Sequence, residues 1–501
     1  MRKLQMAEFA ISNFYVDKVD EDKLVEEAII KMLAQLDPHS TYSDAEEVKK
    51  MNEPLQGNFE GIGVQFQMIE DTLLVVQPVS NGPSEKIGIL AGDRIIAVND
   101  SAIAGVKMST EEIMKRLRGP KGSKVNLKIV RRGVQDPLVF TVKRDKIPIL
   151  SLDASYMIQP KTGYIRINRF GATTAEEFKK AMKELQKQGM KDMILDLQGN
   201  GGGYLNAAID LANEFLGQKE LIVYTEGRTA KRSDFYAKGN GEFRNGRLIV
   251  LVDEYTASAS EIVSGAVQDW DRGIIVGRRS FGKGLVQRPI DLPDGSMIRL
   301  TIARYYTPAG RCIQKPYDSS TDYNKDLIER FNHGELMNAD SIHFPDSLKV
   351  QTKKLGRTVY GGGGIMPDYF VPIDTTLYTD YHRNLVAKGA VIKFTMKFIE
   401  GHRKELANKY KKFGSFNEKF IIDDDMLATL REMGEKEGVK FNEEQYQKSL
   451  PLIKTQLKAL IARDLWDMNE YFRVMNTTNE SVQKALEILN SEEYQKKLRV
   501  N

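Results

Sequence analysis

The spacing of apolar positions along the chain predicts four segments with different secondary structure. Residues 1–56 keep helical spacing at Val25, Ile29 and Met32, until "LDPHSTYSD" interrupts the pattern. Residues 57–148 instead contain short β-rich runs such as "TLLVVQPV", "DRIIAVND" and "KVNLKIV", separated by Gly, Asn, Asp and Pro. The chain is therefore expected to begin with a helical segment, followed by a small β-domain.

The period of the pattern changes twice more. In residues 149–374, apolar strands such as "MKDMILDL" alternate with amphipathic helices such as "TAEEFKKAMKELQKQG", which predicts helices packed on a largely parallel sheet. The turn "PDG" between "LVQRPIDL" and "SMIRLTIARYYT" predicts a β-hairpin, and residues 315–356 form an irregular polar insert. Residues 375–501 are rich in Lys and Glu and predict a C-terminal helical domain. The predicted fold class is multidomain α/β.

Composition and charge exclude several classes of function. The net charge is +4 from 73 basic and 69 acidic residues, which is too balanced to favour binding to nucleic acid or to an anionic membrane. The single cysteine, Cys312, cannot make an internal disulfide or a multi-cysteine metal site. No apolar run reaches the roughly 18–20 residues of a membrane helix. The start, "MRKLQMAEFAISNFYV", lacks the features of a signal peptide and is predicted to be an amphipathic helix inside a fold.

Two glycine-rich stretches share only part of the pattern of nucleotide-binding loops. Residues 277–283 spell G-x-x-x-x-G-K, but Gly284 follows where a P-loop needs Ser or Thr, and a strand follows where it needs a helix. In "DLQGNGGGYL", Tyr204 occupies the position of the third glycine of a dinucleotide loop. What is left is a loop of free backbone at the end of a strand, whose amides could stabilise an oxyanion.

The stretch "TASASEIVSGAVQDW" contains candidate nucleophiles. Ser258 lies at the predicted start of a helix, where it can be the N-cap residue with Glu261 as its capping-box partner. A helix start also favours developing negative charge, so the capping role does not exclude a catalytic one. Ser260 and Ser264 lie about one turn apart on the same helix, and we expect them to serve close helix packing.

A serine nucleophile needs a base within hydrogen-bond reach. None of the five histidines belongs to residues 150–310, whereas Lys283 lies in the loop after the next predicted strand. A lysine accepts a proton only when it is neutral, so its pKa must fall from roughly 10.4 towards neutrality, as burial can bring about. Lys283 is therefore either a buried base or an ordinary solvated loop lysine.

Together these motifs resemble the carboxy-terminal processing proteases, or tail-specific proteases, which use a serine–lysine pair. The similar stretches are "LDPHSTYSD", "GIGVQF", "GILAGDRIIAVND", "DLQGNGGGYL", "TASASEI" and "SFGKGLVQ", in the order that the family has them. The resemblance covers about residues 10–315 and 357–370, and the insert and tail are similar to longer members from Bacteroidetes-like bacteria. It implies a ClpP/crotonase-like α/β protease core over residues 149–374, with an inserted PDZ domain at 57–148.

The resemblance also implies roles for individual residues. Ser258 would be the nucleophile, Lys283 the general base, and Gln287 the residue that orients the lysine. No metal or cofactor is implied. The rival interpretation is a catalytically silent scaffold that keeps the PDZ domain for peptide binding, and the presence of all three residues argues against it.

The oxyanion hole implied by the resemblance consists of backbone N–H groups. One would come from Ala259 and the other from Gly202 or Gly203. This loop departs from the family pattern, because Gln198 replaces the usual Arg and Gly201 the usual Pro. The identity of the glycine is therefore left open.

In the PDZ domain, the resemblance implies that a backbone loop receives the terminal carboxylate of a substrate that adds a strand. The loop consists of Gly61, Ile62, Gly63 and Val64. The expected partners are proteins or peptides with free C-termini, with no nucleic acid, and the helical segments could mediate a homodimer or bind an adaptor. Family members are usually exported, which implies a periplasmic or cell-envelope location and a signal or anchor upstream of this chain.

Overall fold

The structure is a computed structural model that describes residues 2–69, 71–317, 323 and 325–499. Its described part has the multidomain α/β architecture expected from the sequence, and the fold class is confirmed. Residues 318–322 and 324 of the predicted insert lie outside the described residues. So do the outermost residues of the predicted terminal segments, at positions 1, 500 and 501.

The N-terminal segment is helical with one short strand. Its elements are α1 (Arg2–Phe14), α2 (Glu21–Leu33), β1 (Thr41–Ser43) and α3 (Ala45–Gln56). The expectation that the first helix lies inside the fold is wrong, because α1 has no buried residue and the side chains of Phe9 and Phe14 are 62% and 77% exposed. Amphipathic spacing determines which residues share a face of a helix, but not whether another element covers that face.

The next segment is a small antiparallel β-domain. Its elements are β2 (Asn58–Gly61), β3 (Val64–Ile69), β4 (Thr72–Pro78), α4 (Pro83–Lys86), β5 (Arg94–Val98), β6 (Ser101–Ala102), α5 (Thr110–Leu117), β7 (Lys124–Val130), β8 (Leu138–Lys143) and β9 (Asp145–Pro148). The main sheet has the order β3-β4-β5-β7-β8, so β3 is an edge strand. A capping box of Ser109 and Glu112 begins α5. A separate ribbon of β2 and β9 joins this domain to the rest of the chain.

The largest domain is built on a six-stranded sheet. Its elements up to the hairpin are β10 (Leu152–Gln159), β11 (Thr162–Ile167), α6 (Thr174–Lys187), β12 (Asp192–Asp196), α7 (Leu205–Asn213), β13 (Leu221–Glu226), β14 (Ser233–Tyr236), β15 (Leu248–Val252), α8 (Ala259–Asp269), β16 (Ile274–Gly277), β17 (Leu285–Asp291) and β18 (Met297–Tyr306). The insert and the end of the domain add α9 (Asp326–Asn332), β19 (Lys349–Gln351), β20 (Thr358–Tyr360) and β21 (Tyr369–Phe370). The sheet order is β10-β11-β12-β15-β16-β21, and every pair except β10 with β11 is parallel.

A second sheet lies beside the first. The predicted hairpin is confirmed, since β17 and β18 pair antiparallel. The other edge of β18 pairs with β1 near its start and with β13 near its end. Through β1, the N-terminal segment is bound directly to the hairpin that follows Lys283.

The C-terminal segment is helical from Asp380 onwards. It consists of α10 (Asp380–Ala387), α11 (Ala390–Lys409), α12 (Phe413–Lys419), α13 (Asp424–Lys436), α14 (Glu443–Leu465), α15 (Met468–Met475), α16 (Glu480–Asn490) and α17 (Glu493–Leu498). Helices α10–α15 have a core of their own. Val482, Ile488 and Tyr494 of the last two helices pack instead on the face of the large sheet opposite α6–α8. Both faces of the sheet are thus covered, which explains why its strands are apolar at successive positions.

The helical segment also contacts the small β-domain. The Glu400 carboxylate of α11 accepts a hydrogen bond from Arg94 Nη2 at 3.1 Å. The backbone carbonyl oxygen of Glu400 accepts another from Arg132 Nη1 at 2.9 Å. No helix among the described residues is long and apolar enough to cross a membrane.

Candidate active site

Ser258 lies at the turn between the buried strand β15 and the start of α8. Its φ of 56° places a non-glycine residue in the left-handed region, a strained conformation that is concentrated at functional sites. Two hydrogen bonds fix this turn to the segment that follows β12. Thr256 Oγ1 donates to the Leu197 carbonyl at 2.9 Å, and Ala257 N–H donates to the Asn200 carbonyl at 3.0 Å. Helix α8 is buried on all sides, so the nucleophile candidate is held on a rigid element.

The other two serines of this helix have the packing role expected from the sequence. Ser260 and Ser264 are fully buried. Ser260 Oγ donates to the Asn200 carbonyl at 3.0 Å, and Ser264 Oγ donates to the Ser260 carbonyl one turn earlier at 2.9 Å. Ser258 is the serine of the three that retains an accessible side chain.

The glycine loop after β12 lies against Ser258. A Cβ at Gly202 would lie 2.8 Å from Ser258 Cβ and 3.0 Å from Ala259 N, and a Cβ at Gly203 would lie 2.1 Å from the Phe170 carbonyl oxygen. Both positions also have positive φ, so the approach of Gly202 to Ser258 and that of Gly203 to Phe170 require glycine. Gly201 is different, since a Cβ there would meet nothing within 4 Å.

The hydrogen bonds of this loop distinguish its two candidate oxyanion donors. Gly202 N–H already donates to the Asn200 Oδ1 atom at 2.8 Å. Among the described residues, neither Gly203 N–H nor Ala259 N–H donates a hydrogen bond to a protein atom. The pair with free donors beside Ser258 is therefore Ala259 and Gly203.

Glu261 links the loop of the serine to the loop of the lysine. Its fully buried carboxylate accepts four hydrogen bonds, from Ser258 N–H at 2.8 Å, Ser280 Oγ at 2.5 Å, Gly282 N–H at 2.8 Å and Lys283 N–H at 2.9 Å. Burial raises the pKa of Glu261 to about 7, while the donated hydrogen bonds oppose that change. The capping-box interaction expected from the sequence is present in its glutamate half, since Glu261 accepts from Ser258 N–H.

Lys283 is largely removed from solvent beside this carboxylate. Burial lowers the pKa of the Lys283 ammonium from its usual value, and the positive charge of Arg299 lowers it further. Glu261 and Asp37 act in the opposite direction. The Tyr305 hydroxyl lies 2.7 Å from the Lys283 carbonyl oxygen and 3.1 Å from the Ser258 carbonyl oxygen, which adds a second link between the two loops.

The backbones of Ser258 and Lys283 share partners in Glu261 and Tyr305, but their side chains are not hydrogen-bonded to each other. Within the described residues, no hydrogen bond joins Ser258 Oγ to Lys283 Nζ, and none joins Lys283 to Gln287. The Gln287 amide nitrogen instead donates to Thr301 Oγ1 at 3.2 Å. The roles of Ser258, Lys283 and Gln287 stay predictions, with the three residues on adjoining elements of one site.

Sequence reasoning missed the contribution of the N-terminal turn "LDPHS". Burial lowers the pKa of His39 to about 4, and the positive charges of Lys283, Lys315 and Arg299 act in the same direction. His39 Nε2 lies 2.7 Å from the Tyr323 hydroxyl, and the Tyr323 ring packs against Phe281, two residues before Lys283. The sequence shows that this turn comes just before β1. It does not show that β1 pairs with β18, which is what brings the turn to the site.

A groove in the small β-domain contains the predicted carboxylate-binding loop. It encloses about 430 Å³ between the open edge of β3 and α5, and Ile62, Gly63 and Val64 line one end. Gly61 ends β2 beside this groove. Arg118 also lines it and is held by Glu53 at 2.5 Å, so the structure adds a positive charge that the sequence did not single out.

Comparison with known proteins decides the family. A model of peptidase family S41 matches residues 161–321, and a PDZ-domain model matches residues 61–146. The carboxy-terminal-processing protease of Bartonella bacilliformis is 40% identical over 307 residues, which cover 60% of this chain and 69% of that protein. The chain belongs to the carboxy-terminal processing proteases of peptidase family S41.

Further similarities cover other parts of the chain. The carboxy-terminal processing protease CtpB of Bacillus subtilis is 36% identical over 318 residues, which cover 63% of this chain and 66% of that protein. A solved photosystem II D1 C-terminal processing protease aligns at 27% identity over 74% of this chain and 93% of that one, with a TM-score of 0.37. Residues 1–47 match the activating protease CtpB N-terminal domain, and residues 381–467 match a family of unknown function, DUF8443. The chain thus spans 66% to 69% of the length of these two curated relatives.

Within this carboxy-terminal processing protease, the departure at Gln198 coincides with the docking of the C-terminal helices. Gln198 Nε2 donates to Ser481 Oγ at 3.4 Å, and Asn479 Nδ2 donates to Gln198 Oε1 at 3.2 Å. The loop that carries Gly203 is therefore supported by α16, in addition to the core itself.

Proposed function

We propose that this protein is a serine endopeptidase that cleaves protein substrates recognised by their C-terminal tails. Ser258 Oγ attacks the scissile carbonyl carbon while neutral Lys283 Nζ accepts the hydroxyl proton. The N–H groups of Ala259 and Gly203 stabilise the oxyanion. The Lys283 ammonium then donates the proton to the leaving amine. In deacylation, Lys283 takes a proton from the attacking water and returns it to Ser258 Oγ as the ester bond breaks, which releases the carboxyl product.

The Glu261 carboxylate is the observation that supports this pair most. It accepts the N–H groups of both Ser258 and Lys283, so one buried side chain holds the nucleophile and the base in a fixed relation. The lowered pKa of Lys283 supports its role as a base, because the neutral amine is what can accept a proton. The absent hydrogen bond between Ser258 Oγ and Lys283 Nζ fits a resting enzyme, since such bonds often shorten only in the substrate complex.

Recognition of the tail is assigned to the groove between β3 and α5. A peptide that extends the sheet at the edge strand β3 would obtain main-chain hydrogen bonds, and its carboxylate would reach the loop at Gly63. Arg118 lines the same groove and contributes a positive charge, which it shares with Glu53. The substrate class is therefore proteins with unstructured, apolar C-termini.

Amidating the C-terminus of a tailed substrate should lower kcat/KM by about tenfold or more, because the amide cannot make the charge-assisted hydrogen bonds of a carboxylate. The measurement compares the two forms of one substrate under identical conditions. A peptide that contains the cleavage site without a tail is the control, and its amidation should change nothing. Equal rates for both forms of the tailed substrate would contradict carboxylate capture.

We further propose that the protein acts in the periplasm or at the cell envelope, as the resemblance implies, and that its N-terminal helix α1 binds a second copy of the chain. Many exposed apolar side chains on one element are typical of an interaction site. The exposed apolar side chains of α1 are Leu4, Met6, Phe9, Ile11 and Phe14.

Replacing Phe9 with Glu should convert a dimer into a monomer, because a charge would be buried in the interface between the two copies. Light scattering after gel filtration measures the mass of the wild type and the variant. Val139→Glu, at an exposed apolar position on β8, is the matched control and should leave the mass unchanged. A wild-type mass of one chain would refute the dimer and favour an adaptor as the partner of α1.

A further inference from the structure

The turn 37–40 of the N-terminal segment is attached to the hairpin that follows the candidate base. The Asp37 carboxylate accepts hydrogen bonds from His39 N–H at 2.8 Å, Ser40 N–H at 3.0 Å and Ser40 Oγ at 2.6 Å. A fourth comes from Thr301 Oγ1 of β18 at 3.0 Å. Thr301 N–H in turn donates to Ser40 Oγ at 3.1 Å. The turn is thus bound to Thr301 by two hydrogen bonds, one to its hydroxyl and one to its backbone N–H.

A chain of hydrogen bonds leads from this turn towards the active site. Gln287 Nε2 donates to Thr301 Oγ1, and Thr301 Oγ1 donates to Asp37 Oδ1. The direction of this chain follows from the chemistry of its last member. A carboxylate can only accept, so the Thr301 hydroxyl hydrogen points to Asp37 and the Thr301 oxygen must accept from the amide nitrogen of Gln287.

The direction of these hydrogen bonds decides which atom of the Gln287 amide is available to bond Lys283. Its nitrogen is used by Thr301, whereas its carbonyl oxygen has no hydrogen-bond partner in the described part of the chain. A group that orients an amine or an ammonium must accept its N–H bonds. The free end of Gln287 is therefore the end that Lys283 can use.

We propose that Asp37 and Thr301 are positioning residues of the peptidase, which hold the Gln287 amide so that its carbonyl oxygen can accept a hydrogen bond from Lys283 during the reaction. This inference rests on the proposed serine–lysine function. It assigns to the N-terminal turn a part in the active site of the protease core.

The charge of Asp37 also affects the pKa of Lys283. The charged and titratable groups that act on Lys283 or its surroundings are Arg299 on β18, Glu261 on α8, and Asp37 and His39 in the turn. The positive charge of Lys315 also lowers the pKa of His39. Asp37 is one of two carboxylates that favour the charged form of Lys283. Its removal should therefore move the rise of kcat/KM with pH to lower pH, whereas removal of the uncharged Thr301 should not.

The first test replaces Thr301 with Val, which has the same shape without the hydroxyl. The expected result is a kcat about tenfold lower with KM unchanged, and Thr301→Ser should restore the rate to within about twofold of the wild type. The chain provides a matched control, since Gln351 Nε2 donates to Thr358 Oγ1 on the exposed hairpin of β19 and β20. Thr358→Val removes the same kind of bond and should leave kcat unchanged.

The second test asks whether Thr301 acts through Gln287. In a Gln287→Ala background, Thr301→Val should have no further effect on kcat, because the amide that it positions is gone. A tenfold effect that persists in that background would overturn the inference, and so would wild-type kcat in Thr301→Val. An Asp37→Asn variant with an unmoved pH profile would also contradict it.

The outcomes separate this inference from the function on which it rests. If Lys283→Ala retains wild-type activity, the serine–lysine mechanism itself fails. If Lys283→Ala is inactive while Thr301→Val behaves like the wild type, the mechanism stands and only the positioning chain is wrong.

Discussion

Peptidase activity should fall at least about 1,000-fold when either Ser258 or Lys283 is replaced by alanine. In the proposed mechanism, Ser258→Ala removes the atom that forms the acyl-enzyme, and Lys283→Ala removes the proton acceptor of the same step. The two losses should not add in the double variant, because each single change already abolishes the covalent route. The measurement is kcat/KM on a tailed protein substrate for the wild type, both single variants and the double variant.

The pH dependence of the wild type provides an independent check of the base. Burial and Arg299 lower the pKa of Lys283, and only the neutral amine can accept the Ser258 proton. The value of kcat/KM should therefore rise with pH through the pKa of Lys283, at a pH below the usual lysine value of roughly 10.4. At pH below this pKa the lysine is protonated, and activity is lost.

Two control variants separate a catalytic effect from a general one. Ser264→Ala removes a buried hydroxyl on the same helix, whose only role in the described contacts is to bond the Ser260 and Glu261 carbonyls. Lys187→Ala removes an exposed lysine on α6. Both should keep activity near that of the wild type. Cleavage at equal rates by Ser258→Ala, Lys283→Ala and the wild type would refute the dyad and favour the peptide-binding scaffold.

Local patterns predicted most of the elements on which this site is built. The alternation of apolar strands and amphipathic helices predicted the parallel sheet, and the "PDG" turn predicted the hairpin of β17 and β18. Both signals come from residues close together in the chain. The exposure of α1 could not be predicted in this way, because it depends on which other surface is available to cover the helix.

The contacts between distant segments explain what the sequence did not show. Glu261 was expected to cap a helix, but its contact with Lys283 depends on the packing of a loop 22 residues further along the chain. Asp37 and Thr301 are separated by 264 positions and meet only because β1 pairs with β18. The choice between Gly202 and Gly203 depends on the Asn200 side chain, which accepts one of the two N–H groups. Hydrogen bonding between elements, rather than periodicity, distinguishes the residues of this site.

Replacing Glu261 with Gln should lower kcat/KM by about 100-fold and the free energy of unfolding by about 3 kcal/mol. Each carboxylate oxygen accepts two hydrogen bonds, Oε1 from Ser280 and Gly282 and Oε2 from Ser258 and Lys283. An amide of the same shape must present its NH₂ group to one of these donor pairs. Two donors would then face two others inside the protein, and the loops of the nucleophile and the base would move apart.

The chain contains a matched control for this substitution in the PDZ domain. Glu112 accepts from Ser109 N–H at 3.4 Å in a capping box of the same type, but at the exposed start of α5. Glu112→Gln should change stability by about 0.5 kcal/mol or less and leave activity unaltered, since water can replace the lost bond. Urea unfolding and kcat/KM on the tailed substrate measure both effects.

A milder change at the same carboxylate tests whether activity and stability fall together. Ser280→Ala removes one of the four donors to Glu261 but leaves the carboxylate and its bonds to Ser258 and Lys283 in place. Its effect on kcat/KM should therefore be smaller than that of Glu261→Gln, at about tenfold or less. If Glu261→Gln lowers stability as expected but leaves kcat/KM at the wild-type value, Glu261 only stabilises the fold. The fixed relation of Ser258 to Lys283 would then have to come from the Tyr305 hydroxyl and the backbone alone.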